Sequence, residues 1–186
     1  MIRSRYTFVA MGFHWIIAAL ILANLYFGWR MGFVKGLAQF NIFQLHKSIG
    51  ITVLLLSLLR LGWRLINPPP AETIPLQPWE KLASTAVHWG FYVIMIVMPL
   101  SGWIVVSTSP MNIPTLLYHT VPWPHFPGVH DLPEAAKTSV NHSFDLTHVV
   151  LAFGAVGLLA LHLGAVVKHQ LDGHPVLGRM LPLAKS

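Results

Sequence analysis

The chain has 186 residues, of which 54% are hydrophobic and only 10% charged. Soluble domains carry about 25% charged residues, so a soluble globular protein is excluded first. The net charge is +6, but the basic residues sit at the ends of apolar runs rather than in one patch, which points to membrane topology and away from nucleic acid. Cysteine is absent, which excludes a disulfide framework, a thiolate-held iron–sulfur cluster and a Cys-x-x-Cys-His covalent haem site.

The N-terminus, MIRSRYTFVAMGFHW, has a basic stretch before an apolar one. No A-x-A-like cleavage site follows, and the apolar run continues to Trp29, so it reads as an uncleaved membrane span over residues 8–29. Three further spans are expected over 45–66, 82–106 and 146–168, each near the ~20 residues needed to cross ~30 Å of hydrocarbon. The first connection, GWRMGFVKG, is short and glycine-bearing. The second, INPPPAETIPLQPWEK, is rich in proline and cannot continue a helix. The third, residues 107–141, is the longest; Asp131, Pro133 and the EAAK that follows predict a short capped helix within it. No internal repeat divides the chain, so residues 1–186 are expected to form one all-α domain, a four-helix transmembrane bundle.

With the N-terminus inside, the inner surface holds Arg3, Arg5, Arg60, Arg64, Lys81, Lys168, Arg179 and Lys185. The outer surface holds Arg30, Lys35, Lys47 and Lys137. The positive-inside rule therefore predicts both termini in the cytoplasm and the long third connection in the periplasm of a bacterial cell.

Every span contains a histidine. His14 lies towards the inner end of the first span and His46 towards the outer end of the second. His88 lies towards the inner end of the third. The fourth carries His148 near its outer end and His162 14 residues later, about 21 Å deeper and on the same helix face. The depths pair His46 with His148 and His14 with His162. Two imidazoles meeting at one depth suit the two axial positions of a haem iron, and ligation explains why a costly side chain sits in hydrocarbon. Structural zinc wants four tetrahedral ligands, often thiolates, and fits less well. The four histidines are therefore candidate ligands of two non-covalent, bis-histidine b haems. His88 has no partner left at its depth and is equally well read as a hydrogen-bonded polar residue. His119, His125 and His130 read as solvated loop residues. Gly50, Gly157 and Gly164 either admit a macrocycle or serve plain helix packing. Arg60 and Arg64 follow His46 by 14 and 18 residues; they either pair with the propionates of the inner haem or anchor a helix end. His169 shares the face of His162 at the inner rim, where it bonds a quinone carbonyl or a propionate, or simply snorkels.

Several stretches together resemble the bacterial cytochrome b561 family. They are FHW around His14, QLHKSIGI and LLRLGWRL in the second span, HWGFYVIMIVMPLSG in the third, THVVLAFGAVGLLALH in the fourth, and the tail LGRMLP. The likeness covers nearly the whole chain and is weakest in the third connection. It implies a multi-pass protein of the bacterial inner membrane with two b haems and ubiquinone as electron acceptor. One branch of the family is a superoxide:ubiquinone oxidoreductase. By that analogy the chain is an oxidoreductase taking electrons from superoxide at the periplasmic face, with Arg30, Lys35, Lys47 and Lys137 steering the anion. The alternative keeps the haems and makes the chain the membrane anchor of a periplasmic dehydrogenase or hydrogenase, docked through Tyr118, Trp123 and Phe126. A haem-free transporter is disfavoured by the lack of inverted repeats and broken spans.

Overall fold

The computed structural model describes residues 5–71, 76–174 and 176–182; Arg3 and Lys185 of the charge count lie outside them. Four helices run α1 (Phe8–Arg30), α2 (Gly36–Ile66), α3 (Pro78–Ser107) and α4 (Glu134–Leu171). All four are long and apolar enough to cross a membrane. Thr7 caps α1, its hydroxyl accepting the N–H of Ala10 at 3.2 Å. Pro78 opens α3 behind a reciprocal cap in which the Gln77 N–H donates to Glu80 Oε2 at 2.9 Å.

The helices outrun the spans expected from hydropathy. α2 begins at residue 36 rather than 45, α3 at 78 rather than 82, and α4 at 134 rather than 146. The segment added to α4, EAAKTSVNHSFD, is polar, so an apolar window ends before that helix does. At 1.5 Å per residue the 38 residues of α4 run about 57 Å, well beyond ~30 Å of hydrocarbon. The short helix expected after Asp131 is therefore the first turn of α4, which begins after Pro133. His46 and His148 in turn lie about 15 and 21 Å inside their helices rather than near the ends.

The connection between α3 and α4 shortens to residues 108–133 and holds the only strands among the described residues. β1 (Thr115–Leu117) pairs antiparallel with β2 (Val121–Trp123), Leu117 opposite Val121. The turn places Tyr118 and His119 at φ +50° and +61°, a conformation that costs energy for residues with a Cβ. A polar stripe on α2 holds it there. Gln44 Nε2 donates to the Pro114 carbonyl (2.9 Å) and Gln44 Oε1 accepts the Leu116 N–H (3.2 Å). Ser48 Oγ accepts the Tyr118 N–H (2.8 Å), and the Tyr118 hydroxyl meets Thr52 Oγ1 at 2.7 Å. Gln44 and Ser48 are fully buried by this contact.

Helix α1 packs on α2, α2 on α3, and α3 most extensively on α4. The core cluster of Ile17, Ile49, Val53, Tyr92 and Met95 comes from α1, α2 and α3. Both ends of the described chain lie at one end of the bundle. There the tail, a 3-10 turn at Val176–Arg179, crosses the start of α1: the Tyr6 N–H bonds the Arg179 carbonyl (3.4 Å) and Trp15 Nε1 the Met180 carbonyl (2.8 Å). This is the termini end; the opposite one is the hairpin end.

Candidate functional site

At the hairpin end, α2 brings His46 to His148 of α4 with ring centroids 6.1 Å apart. Each ring is fixed by the same device. His46 Nδ1 donates to the Asn24 carbonyl at 3.1 Å, and the ring lies against Gly28, one turn further along α1. His148 Nδ1 donates to the Met98 carbonyl at 3.0 Å, and the ring lies against Gly102, one turn further along α3. A β-carbon at Gly28 would stand 3.2 Å from His46 Cε1, and one at Gly102 only 2.9 Å from His148 Cε1. A carbonyl can only accept, so both Nδ1 atoms carry the proton and both Nε2 lone pairs are free for a metal. A backbone acceptor on the far nitrogen is the usual way a ligating histidine is oriented. Ser101 Oγ joins the same Met98 carbonyl at 2.7 Å and lies 3.1 Å from His148 Nδ1.

At the termini end, His14 of α1 and His162 of α4 have centroids 6.2 Å apart. His88 of α3 joins them, 5.9 Å from His162, and Phe91 stands edge-on at 5.6 Å. Arg60 of α2 reaches His14, Nη2 to Nδ1 at 3.4 Å. Arg60 also lies over the Tyr92 ring at 5.7 Å, and Arg64 over Tyr92 and Trp89 at 5.7 and 5.8 Å. A small cavity between them is lined by Tyr6, Arg60, Trp63, Arg64, Tyr92 and Met180, among others. It pairs cationic donors with flat apolar walls.

An imidazole nitrogen bonds a transition metal at about 2.0–2.1 Å, so two imidazoles on opposite sides of one iron place their centroids roughly 6 Å apart. The His46–His148 and His14–His162 separations meet that requirement. Among the described residues no three His, Asp or Glu side chains converge closely enough for a bare ion.

Other expected residues fall elsewhere. His169 stays at the rim of α4, its carbonyl accepting the His174 N–H at 2.8 Å. Its neighbour Lys168 bonds Glu80 and Asp172 at 2.9 and 3.0 Å. Lys47, expected to steer an anion from the surface, is only 8% exposed. It donates to the Pro114 carbonyl at 3.1 Å and lies over the Phe43 ring, because the hairpin folds onto it. Lys137 pairs with Glu134 at 3.3 Å, while Lys35 is exposed. Gly157 and Gly164 face no protein atom within 4 Å, and a β-carbon at Gly50 would make only ordinary contact with Asn24. The glycines that matter to the histidines are Gly28 and Gly102, for which the one sequence signal is glycine inside a helix at a histidine's depth.

The profile described as prokaryotic cytochrome b561 matches residues 5–183. The chain is 27% identical over 188 residues to cytochrome b561 homolog 2 of Escherichia coli (strain K12), covering 98% of this chain and 94% of that one. It is 24% identical over 185 residues to the probable superoxide oxidase CybB of Yersinia pestis, covering 97% of each.

Proposed function

The chain belongs to the prokaryotic cytochrome b561 family of membrane electron-transfer proteins, and from that premise we propose that it is a di-haem superoxide:ubiquinone oxidoreductase of the bacterial inner membrane. The observation that carries the reading is the pair of histidine sites, each joining α4 to another helix at about 6 Å between rings. In this reading His46 and His148 hold one b haem towards the periplasm, and His14 and His162 hold the second towards the cytoplasm, where both termini lie.

When bound, the haems supply reversible one-electron transfer, which suits a one-electron donor and a two-electron acceptor. Two superoxide anions each lose one electron to become dioxygen; the two electrons and two protons convert ubiquinone to ubiquinol. The chain's residues set the conditions. The carbonyls of Asn24 and Met98 hold the tautomers of His46 and His148, and a firmly oriented imidazole is the more basic ligand. Arg60 and Arg64 neutralise propionates at the termini end. Lys35 and Arg30 draw the anionic donor to the hairpin end. In this reading His169 bonds a quinone carbonyl or a propionate at the rim.

The anchor alternative has less to stand on. Trp123 and Phe126 pack on Trp103 of α3 at 5.5 and 5.0 Å, and Tyr118 bonds Thr52, so the aromatics expected to dock a partner are engaged within the chain.

Purified protein is expected to be red and to yield two b haems per chain in a pyridine haemochrome assay. Mixed with superoxide and ubiquinone, it is expected to be reduced rapidly and to form ubiquinol with no partner subunit. A colourless preparation removes the haem reading; two haems with inertness to superoxide remove the donor.

A further inference from the structure

The termini-end site holds one histidine more than a haem needs. His162 has two partners at matched range, His14 at 6.2 Å and His88 at 5.9 Å. They approach from different helices, α1 and α3. Their hydrogen bonds prepare them differently. His88 Nδ1 lies 2.7 Å from the Ser84 carbonyl, which can only accept, so the proton is on Nδ1 and Nε2 is free. That is the arrangement found at His46 and His148. His14 Nδ1 faces Arg60, which can only donate, so in this arrangement Nδ1 accepts and Nε2 carries the proton. His14 becomes a ligand only when Arg60 turns away or its own ring flips. His88 needs neither change.

We infer that His88 is an axial ligand of the inner haem, sharing the position opposite His162 with His14, so that the inner site exists in two bis-histidine forms. The inference rests on the di-haem reading above and adds a ligand to it. Arg60 is the element that selects between the forms. While it donates to His14 the His88 form is favoured, and when it leaves His14 for an anionic partner such as a propionate the His14 form becomes available.

The test uses low-temperature electron paramagnetic resonance of the oxidised holoprotein, with haem content measured in parallel. Two low-spin signals are expected from the inner haem, beside the signal of the outer one. His88→Ala removes one inner signal and His14→Ala removes the other, each keeping two haems per chain. The double variant leaves the inner haem high-spin or lost, because an iron with one imidazole is no longer held low-spin. The outer haem, held by His46 and His148, reports that each variant is folded. Should His14→Ala lose that signal as well, His88→Ala alone decides. A single inner signal untouched by His88→Ala overturns the inference, as does a double variant that stays low-spin. A wild-type protein with fewer than two haems refutes the underlying reading instead, which keeps the two failures apart.

Discussion

At the scale of single residues, the hairpin-end site rests on a glycine one turn beyond a carbonyl. The His148 ring occupies the space a side chain at position 102 would need, and a β-carbon there would sit 2.9 Å from Cε1. Neither side yields cheaply: Gly102 belongs to helix backbone, and His148 is tied to the Met98 carbonyl. Gly102→Ala is therefore expected to displace the ring, costing about 1–3 kcal/mol of overpacking and lowering outer haem occupancy while the inner haem stays loaded. Gly157→Ala, with no protein atom within 4 Å, is expected to leave both haems in place. Haem content and reduced spectra of the two variants separate these outcomes; equal haem content would mean that Gly102 is not a seat for His148. Little of this is legible in the sequence, where Gly28 and Gly102 are two glycines among 14, marked out only by lying inside helices at a histidine's depth. Pairing by depth likewise places His14, His46, His148 and His162 and leaves His88 out, because it assumes that each histidine has one partner. Only the crossing of α3 against α4 brings His88 to His162.

At the scale of elements, the α3–α4 connection is a built structure rather than a solvated loop. Besides the hairpin it holds His125 and His130 stacked face to face, centroids 3.9 Å apart and 6° from parallel. Burial lowers the His125 pKa below its usual 6.5; the field of His130 adds to this, with smaller contributions from Lys47 and Lys137, while Asp131 opposes it. The folded connection thus binds a proton less readily than the unfolded one. Its stabilisation is complete above about pH 6.5 and is lost as the pH falls through the lowered value. Between pH 7.5 and 5, amide exchange across residues 108–133 is expected to speed up selectively, and Trp103 and Trp123 fluorescence to change with it. His125→Phe keeps a ring in the stack without a titrating nitrogen and is expected to flatten the profile; a variant that keeps the wild-type profile would assign the effect elsewhere. The same element shows where reading from hydropathy stops. The four spans were legible because a membrane demands apolar length, but the hairpin-end extensions of α2 and α4 were not. From the sequence Lys47 reads as a cation steering an anion and Gln44 and Ser48 carry no assigned role, whereas in the fold all three grip the hairpin.

At the scale of the whole molecule, the chain is two helical hairpins, α1–α2 and α3–α4, joined along the α2–α3 seam. Apolar burial contributes little to holding them together, since lipid tails are as apolar as leucine and packing and hydrogen bonds must do most of it. The histidine pairs cross this division. His46 of α2 meets His148 of α4, and His14 of α1 meets His162 of α4, so each of these pairs takes one histidine from each half, whereas His88 and His162 share a half. On the di-haem reading, a haem at the hairpin-end site, or at the termini-end site in its His14 form, clamps the two hairpins, and any group that binds only the folded state stabilises it by mass action. Bound at a hundred times its Kd, one haem adds about 2.7 kcal/mol, which for a chain of this size raises Tm by roughly 5–10 °C. Protein produced under haem limitation is therefore expected to melt in detergent well below the holoprotein. His148→Ala, which disables one clamp, is expected to fall between them. Adding haem to the depleted protein should recover the difference in the wild type and only part of it in His148→Ala. If depleted and loaded proteins melt together, the cofactors do not bridge the halves, and the pairing across α4 would have to be abandoned even if both haems were present.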